Sequence, residues 1–370
     1  MRVLYFSDSY GPHDYRFLEA LDRSGWDVLF LQRRPGSTFE SRPLPKGVRH
    51  LGFLEATPRR RRLGYALADR LPARLAELEV DVVHAGPVQD CAWLAARAGF
   101  PCLVTMSWGS DLLDRANFGL GRWLARAALR RSAAFLGDCE AVRQRAIGLG
   151  MDPERTVTFP WGVDLERFRP GADSAARSAL GWDTAFVALC VRSWEPRYGI
   201  DTVLEGFTLA ARRDPSLRLI LAGDGSLRSW VIAEVEASGL AERIWLPGFV
   251  PYGDLPMLYH AADVYLSASH SDGSSVSLLE AMACGLPALV SDIPGNREWV
   301  EPGVSGLWFP RGDAVRLSQL LLEASSVRGD LRRFGARGRE IVEDRADWRQ
   351  NSPMLLDAYA IALDPAEGDR

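Results

Sequence analysis

Short apolar runs rich in β-branched residues alternate with longer amphipathic stretches along almost the whole chain, the pattern of parallel strands joined by crossover helices. The fold class this implies is α/β with parallel sheets. The strand-like runs of the first half are 3–6, 28–31, 80–84, 102–106, 134–136 and 156–158. Those of the second are 185–191, 217–222, 243–246, 264–267, 288–291 and 307–309, so each half has enough strands for one Rossmann-like sheet. Between the halves, 160–173 carries Pro and Gly without a helical or strand period and reads as a connection between two domains. Open parallel sheets bind ligands at the carboxyl ends of their strands, so functional residues are expected in the loops that follow these runs.

Composition fits two domains: 370 residues with 47% hydrophobic content exceed one comfortable core. Runs of about 18 uncharged apolar residues do not occur, and the chain opens on a strand-like run; neither a spanning helix nor a secretory signal is expected. Cys91, Cys102, Cys139, Cys190 and Cys284 lie far apart without metal-binding spacing and read as reduced core residues of a cytoplasmic protein. The net charge of -4 divides into +5 over residues 1–170 and -9 over the remainder, neither of which suggests a nucleic-acid partner. The densest basic run, Arg59, Arg60, Arg61 and Arg62, reads as a solvated loop, with an anionic membrane surface as the alternative contact.

The most informative stretch is DGSSVSLLEAMACGLPALVSD, residues 272–292. It reads as a polar loop, a helix over 275–283, a Gly285-Leu286-Pro287 stop and a buried strand. Gly273, Ser274, Ser275 and Val276 at the helix start offer backbone N–H groups and the positive dipole end, a seat for phosphate. Glu280 lies inside this helix among Leu278, Leu279, Ala281 and Met282, and a buried carboxylate needs donors. A structural partner such as a backbone amide or an arginine would serve, and so would the two hydroxyls of a ribose; burial alone leaves both readings open.

This segment resembles the signature of the family-4 retaining glycosyltransferases. In them two carboxylates stand eight positions apart around a helix start, followed by E-A-M-A-x-G-x-P, here residues 280–287 with Asp272 where the first carboxylate is usually Glu. WGVDLERFRP (161–170) resembles the family's linker, LAGDG (221–225) its strand-then-glycine turn, and GFV (248–250) with ADV (262–264) the lining of its base pocket. DVVH (81–84) and GSD (109–111) resemble strand ends of the acceptor domain, and Gly11 stands in the first loop. The resemblance implies a GT-B fold, two Rossmann-like domains with parallel sheets facing across a cleft. It assigns 1–168, with a crossing helix at 352–370, to the acceptor domain and 169–351 to the donor domain. The implied activity is retaining, metal-independent transfer of a hexosyl unit from a UDP- or GDP-linked sugar to a glycan, lipid-linked or small-molecule acceptor. No cofactor is implied beyond this co-substrate, and the inner face of the membrane is an implied location, with polysaccharide or lipid-linked glycan assembly as the setting. A sugar-nucleotide 2-epimerase of the same fold, or an inactive nucleotide-sugar-binding homologue, stands as the alternative.

Carried over residue by residue, Glu280 would hold the ribose hydroxyls and Asp272 a donor-sugar hydroxyl, while the N–H groups of 273–276 would meet the sugar and distal phosphate. Gly11 and Gly225 would let backbone approach the donor. The family's basic clamp for the diphosphate falls on RSWEPRYGID (192–201), where Arg192 and Arg197 are candidates but Tyr198 stands where Lys is usual. Trp108 replaces a His of many members and would wall the sugar pocket. For the acceptor side the candidates are His13, Asp14, His84 and Asp111; the His13-Asp14 pair has a second reading as the cap of a helix starting near Tyr15.

Overall fold

Strands that are apolar at nearly every position can be covered on both faces of a sheet, and among the described residues they form two sheets, one of seven strands and one of six, in which every pairing is parallel. The computed structural model describes residues 1–34, 40–54, 71, 77–171, 174–329 and 331–364. Arg59, Arg60, Arg61 and Arg62 lie outside the described residues.

The first sheet comprises β1 (Arg2–Ser7), β2 (Asp27–Gln32), β3 (Val48–Phe53), β4 (Val82–Gly86), β5 (Leu103–Met106), β6 (Ala134–Gly137) and β7 (Thr156–Thr158), in the order β3-β2-β1-β4-β5-β6-β7. The second comprises β8 (Phe186–Val191), β9 (Leu217–Ala222), β10 (Ile244–Gly248), β11 (Val264–Ser267), β12 (Ala288–Ser291) and β13 (Gly306–Phe309), in the order β10-β9-β8-β11-β12-β13. The period of two is visible in β8. Val187 and Leu189 enter one core with Ile220 and Tyr265, while Ala188 and Cys190 enter the other with Leu219, Leu221 and Leu266. In both sheets the order reverses between the first strand and its neighbours, the switch point at which open α/β sheets place their ligands. β3 is the strand without a sequence signal: it lies at an edge, and Arg49 and His50 are exposed, so it has no apolar run.

The chain divides into two compact units, Met1–Trp161 with Arg349–Arg370, and Gly162–Trp348. The expected boundaries at 168/169 and 351/352 are thus displaced, because the segment read as a connection is anchored by its own apolar residues. Trp161 is buried in the first unit against Phe17 and Phe159. Two residues further on, the backbone joins the second unit: Val163 N donates to Ala346 O at 2.7 Å and Trp348 N to Val163 O at 3.0 Å. Phe168 is buried there between Tyr252 and Tyr259. The last helix, Met354–Leu363, belongs to the first unit, and Arg155 reaches Ile361 O at 3.3 Å and Asp364 O at 3.0 Å.

Candidate functional site

In the second unit the candidate residues gather at the carboxyl edge of the sheet. β8 ends at Val191 and the next side chain, Arg192, crosses to the loop that follows β11. Its Nη1 donates to Ser275 Oγ at 2.6 Å and to Ser277 Oγ at 3.4 Å, and its Nη2 forms an ion pair with Asp272. The guanidinium lies 4.1 Å from the centroid of the Tyr198 ring. Burial disfavours the Arg192 charge, but the adjoining Asp272 carboxylate outweighs it and holds the group above the usual arginine range. Arg197 is exposed, 5.6 Å from the same ring, and its carbonyl accepts from His270 N at 2.8 Å. The two arginines therefore converge on the tyrosine that stands in place of a lysine. The chain contains a single lysine, Lys46, and the exchange has a physical consequence: a guanidinium stacks on a ring and forks to two oxygens, which a compact ammonium does not.

The helix Val276–Ala283 begins one residue after the expected start, with Ser275 as its cap residue. Part of the seat read from sequence is used by the protein itself. The Gly273 N–H, expected to meet donor, donates to Asp272 Oδ1 at 3.1 Å. Ser274 Oγ accepts from Trp299 Nε1 at 2.9 Å, and Ser275 Oγ is held by Arg192. Glu280 is buried, and its Oε2 accepts the Tyr259 hydroxyl proton at 2.9 Å. A structural partner is thus present, and it is a tyrosine. Burial first, and the Glu280 charge second, hold the Tyr259 phenol well above its usual pKa, so it stays a donor. Gly225 has an explanation in packing: a Cβ there would lie 2.6 Å from Trp194 O, and its N–H donates to Asp224 Oδ1 at 2.8 Å.

The first unit carries its group at the carboxyl edges of β1, β4 and β5. The helix Pro12–Arg23 starts earlier than Tyr15, and Asp14 in its first turn accepts from Gly11 N at 2.7 Å and from the Tyr5 hydroxyl at 3.2 Å. Burial pushes the Asp14 carboxyl up to about 7. The capping reading therefore holds, and an inward-facing, 1% exposed carboxyl is not an acceptor contact. Gly11 differs from Gly225. Its φ of -126° is open to any residue, and an added Cβ would meet only Asp14 Oδ2 at 3.4 Å, so neither backbone nor packing demands glycine here.

Two further acceptor candidates are corrected. Asp111 is 2% exposed, and its carboxylate accepts from Val88 N at 2.9 Å, Trp108 N at 2.9 Å, Leu112 N at 3.1 Å and Ser107 Oγ at 2.6 Å. With four donors it organises the loop after β5 and presents Trp108. His84 sits inside β4, which runs on to Gly86, and is fully buried; its Nδ1 meets the Tyr359 hydroxyl at 2.8 Å and its ring packs edge-on to Tyr5. Burial lowers its pKa to about 3, so it is a neutral core histidine. His13 and Trp108 remain at the edge, half-buried, with ring centroids 5.2 Å apart.

Sequence reasoning missed Tyr259, Tyr265 and Trp299. Tyr265 meets Ser277 Oγ at 2.7 Å, and all three read as core by their apolar neighbours; their hydroxyl or indole groups, which need partners when buried, were the only available signal.

Two family descriptions match in tandem: Glycosyltransferase Family 4 over residues 13–167 and Glycosyl transferases group 1 over residues 174–341. A D-inositol 3-phosphate glycosyltransferase of Saccharomonospora viridis is 29% identical over 306 residues, covering 73% of this chain and 69% of that protein. Among solved structures, sucrose-phosphate synthase from Thermosynechococcus elongatus matches with a TM-score of 0.80 at 21% identity, over 97% of this chain and 98% of that one. Anabaena HepE in complex with UDP-glucose gives 0.79 at 20% identity, over 97% and 99%. These likenesses establish the GT-B fold of two Rossmann-like halves, and the comparisons lend no support to an epimerase. With both halves matched in order and the E-A-M-A-x-G-x-P run in place, the chain belongs to the family-4 glycosyltransferases.

Proposed function

We propose that this glycosyltransferase moves a hexosyl unit, with retention, from a UDP- or GDP-linked sugar to a glycan, lipid-linked or small-molecule acceptor, without a metal ion or another cofactor. The observation that carries the proposal is the gathering of Arg192, Arg197 and Asp272 around Tyr198 at the start of the helix Val276–Ala283. As the glycosidic bond breaks, negative charge grows on the leaving diphosphate. Arg192, already oriented by Asp272 and Ser275, and the solvent-facing Arg197 stabilise that charge, with the helix dipole adding to them. An oxygen of the departing diphosphate takes the acceptor proton as the acceptor attacks from the same face, so no side-chain base is required. Glu280, held by Tyr259, accepts the ribose hydroxyls, and Asp272 meets a sugar hydroxyl. His13 and Trp108 wall the sugar or acceptor, beside the open approach at Gly11.

A UDP-glucose complex in a protein of this fold supports a uracil donor as the first to test, and an inositol phosphate named for a relative supports a hydroxyl acceptor of small-molecule size. The experiment is a thermal-shift screen against UDP, GDP and their hexose conjugates, followed by product analysis by NMR with and without EDTA. A ligand at 100 times its dissociation constant stabilises by about 2.7 kcal/mol, well above detection. Inversion of the anomeric centre, or activity abolished by EDTA and restored by a divalent ion, would overturn the mechanism.

A further inference from the structure

In the first unit, the segment that follows β5 presents large apolar side chains to solvent. Phe118 is 87% exposed, Leu120 70% and Trp123 54%, three large apolar side chains within six residues. They lie at the start of the helix Gly119–Leu129. That helix docks on its own unit through Ala125, Ala128 and Leu129, all buried. Exposed Leu120 and Trp123, with half-buried Leu124 and Ala127 beside them, recur at the spacing of one helical face and form a second apolar stripe. An apolar stripe on a solvent face is unfavourable in water and marks a contact surface.

The charges beside the stripe identify the partner. Arg122, Arg126 and Arg130 follow one another at four-residue spacing along its flank, with Arg131 after it, and no Asp or Glu occurs from Asn117 to Gly137; Arg115, before the helix, is paired with Asp90. An apolar stripe edged by arginine alone, with Trp and Phe at its wet end, has the chemistry of a helix lying in the headgroup region of an anionic bilayer. A self-associating surface would more commonly carry both signs of charge at its rim.

We propose that Phe118 and the helix Gly119–Leu129 seat this unit on an anionic lipid surface. Topology adds a functional consequence. The helix runs from the end of β5 back toward the start of β6, so its apolar N-terminal end stands at the carboxyl edge of the sheet, the edge that carries Gly11, His13 and Trp108. Docking there brings that edge to the headgroup layer, where a lipid-linked acceptor would present its sugar.

The test is co-sedimentation of the full chain with vesicles of phosphatidylglycerol and phosphatidylcholine in equal parts, and with phosphatidylcholine alone. Binding is expected to the anionic vesicles, to weaken with salt, and to be at least about tenfold weaker on the neutral ones. The triple variant Phe118→Ser, Leu120→Ser, Trp123→Ser and the separate variant Arg122→Glu, Arg126→Glu should each lose binding by at least about tenfold, while keeping wild-type circular dichroism and nucleotide-diphosphate affinity. Wild-type binding in both variants, or no binding by the parent chain, would overturn the proposal. So would a concentration-dependent dimer in analytical ultracentrifugation that the triple variant abolishes, because the stripe would then belong to a second copy.

Discussion

Replacing Arg192 by alanine separates what this side chain does for the fold from what it does for the reaction. In the folded unit its guanidinium satisfies Asp272 and Ser275 and rests on Tyr198. Removing one member of a buried ion pair costs about 3–5 kcal/mol. The Asp272 side chain is 15% exposed and keeps the Gly273 N–H, so it can hydrate in part and the lower end applies, about 3 kcal/mol. For a unit of this size that lowers the melting temperature by roughly 6–12 °C. The catalytic effect is separate. A clamp on the leaving diphosphate binds more tightly as the bond breaks, so its loss lowers kcat more than it raises the donor KM. Preorganised donors of this kind are worth about 3–4 kcal/mol, or roughly 100- to 1000-fold in kcat. The assay is steady-state release of nucleoside diphosphate at a temperature where every variant is folded by circular dichroism, run for Arg192→Ala, Arg197→Ala and Tyr198→Phe. Tyr198→Phe keeps the ring on which the guanidinium rests and should lose little. Near-normal kcat in both arginine variants, with Tyr198→Phe inactive, would refute the clamp.

Glu280→Gln keeps the shape but weakens hydroxyl acceptance, and donor affinity by calorimetry should fall at least about tenfold with folding intact; unchanged affinity would make Glu280 a structural carboxylate. Tyr259→Phe removes the hydroxyl that meets Glu280 Oε2 at 2.9 Å and Ser277 O at 3.3 Å and should raise the donor KM while kcat holds, a pattern that general unfolding does not give. Asp14 titrates near about 3.9 when unfolded and about 7 when folded, so the native state holds the extra proton in between. Its stabilisation is present below about pH 4 and is lost as pH rises through 7; relative to Asp14→Asn, stability should fall by up to about 1.4 kcal/mol per pH unit across that window, and parallel pH profiles would refute the shift. His84 has the opposite sign, with its pKa lowered to about 3. Its contribution is present above about 6.5 and lost as pH falls, so His84→Phe should flatten the acid limb of the urea midpoint, at the expense of the bond to Tyr359.

Both sheets were legible in the sequence because parallel strands buried on two faces must be apolar at nearly every position, and β8, β9, β11 and β12 meet that demand without exception at their centres. β3 escaped for the reverse reason: an edge strand that exposes Arg49 and His50 satisfies its backbone without any apolar signature. The helix start at Ser275 and the placing of Arg192 were readable for a more specific reason. The first is a local motif of small polar residues before an apolar run, and the second follows a strand end by a single residue, which leaves its direction little freedom.

The same positional rule failed at Asp14, Asp111 and His84, and the failures share a cause. That ligands meet the carboxyl edge of a sheet specifies which loops matter, but not which way each side chain in them turns. Two further strand residues settle the matter for His84: β4 continues to Gly86, so the ring stays within the sheet, in contact with Tyr5 and Tyr359. At Asp14 and Asp111 the deciding fact is backbone N–H groups without ladder partners, Gly11 in one loop and Val88, Trp108 and Leu112 in the other, which draw a carboxylate inward. The two glycines make the point in reverse. Sequence treats Gly11 and Gly225 alike, as places for close approach by a ligand. Yet the Trp194 carbonyl already occupies the space a Cβ would need at Gly225, whereas at Gly11 only one carboxylate oxygen comes near. A glycine that its own fold does not require is the one whose replacement tests a ligand. Gly11→Ala should therefore leave the melting temperature of the free protein nearly unchanged while weakening donor binding, and equal affinity in the two proteins would remove Gly11 from the site.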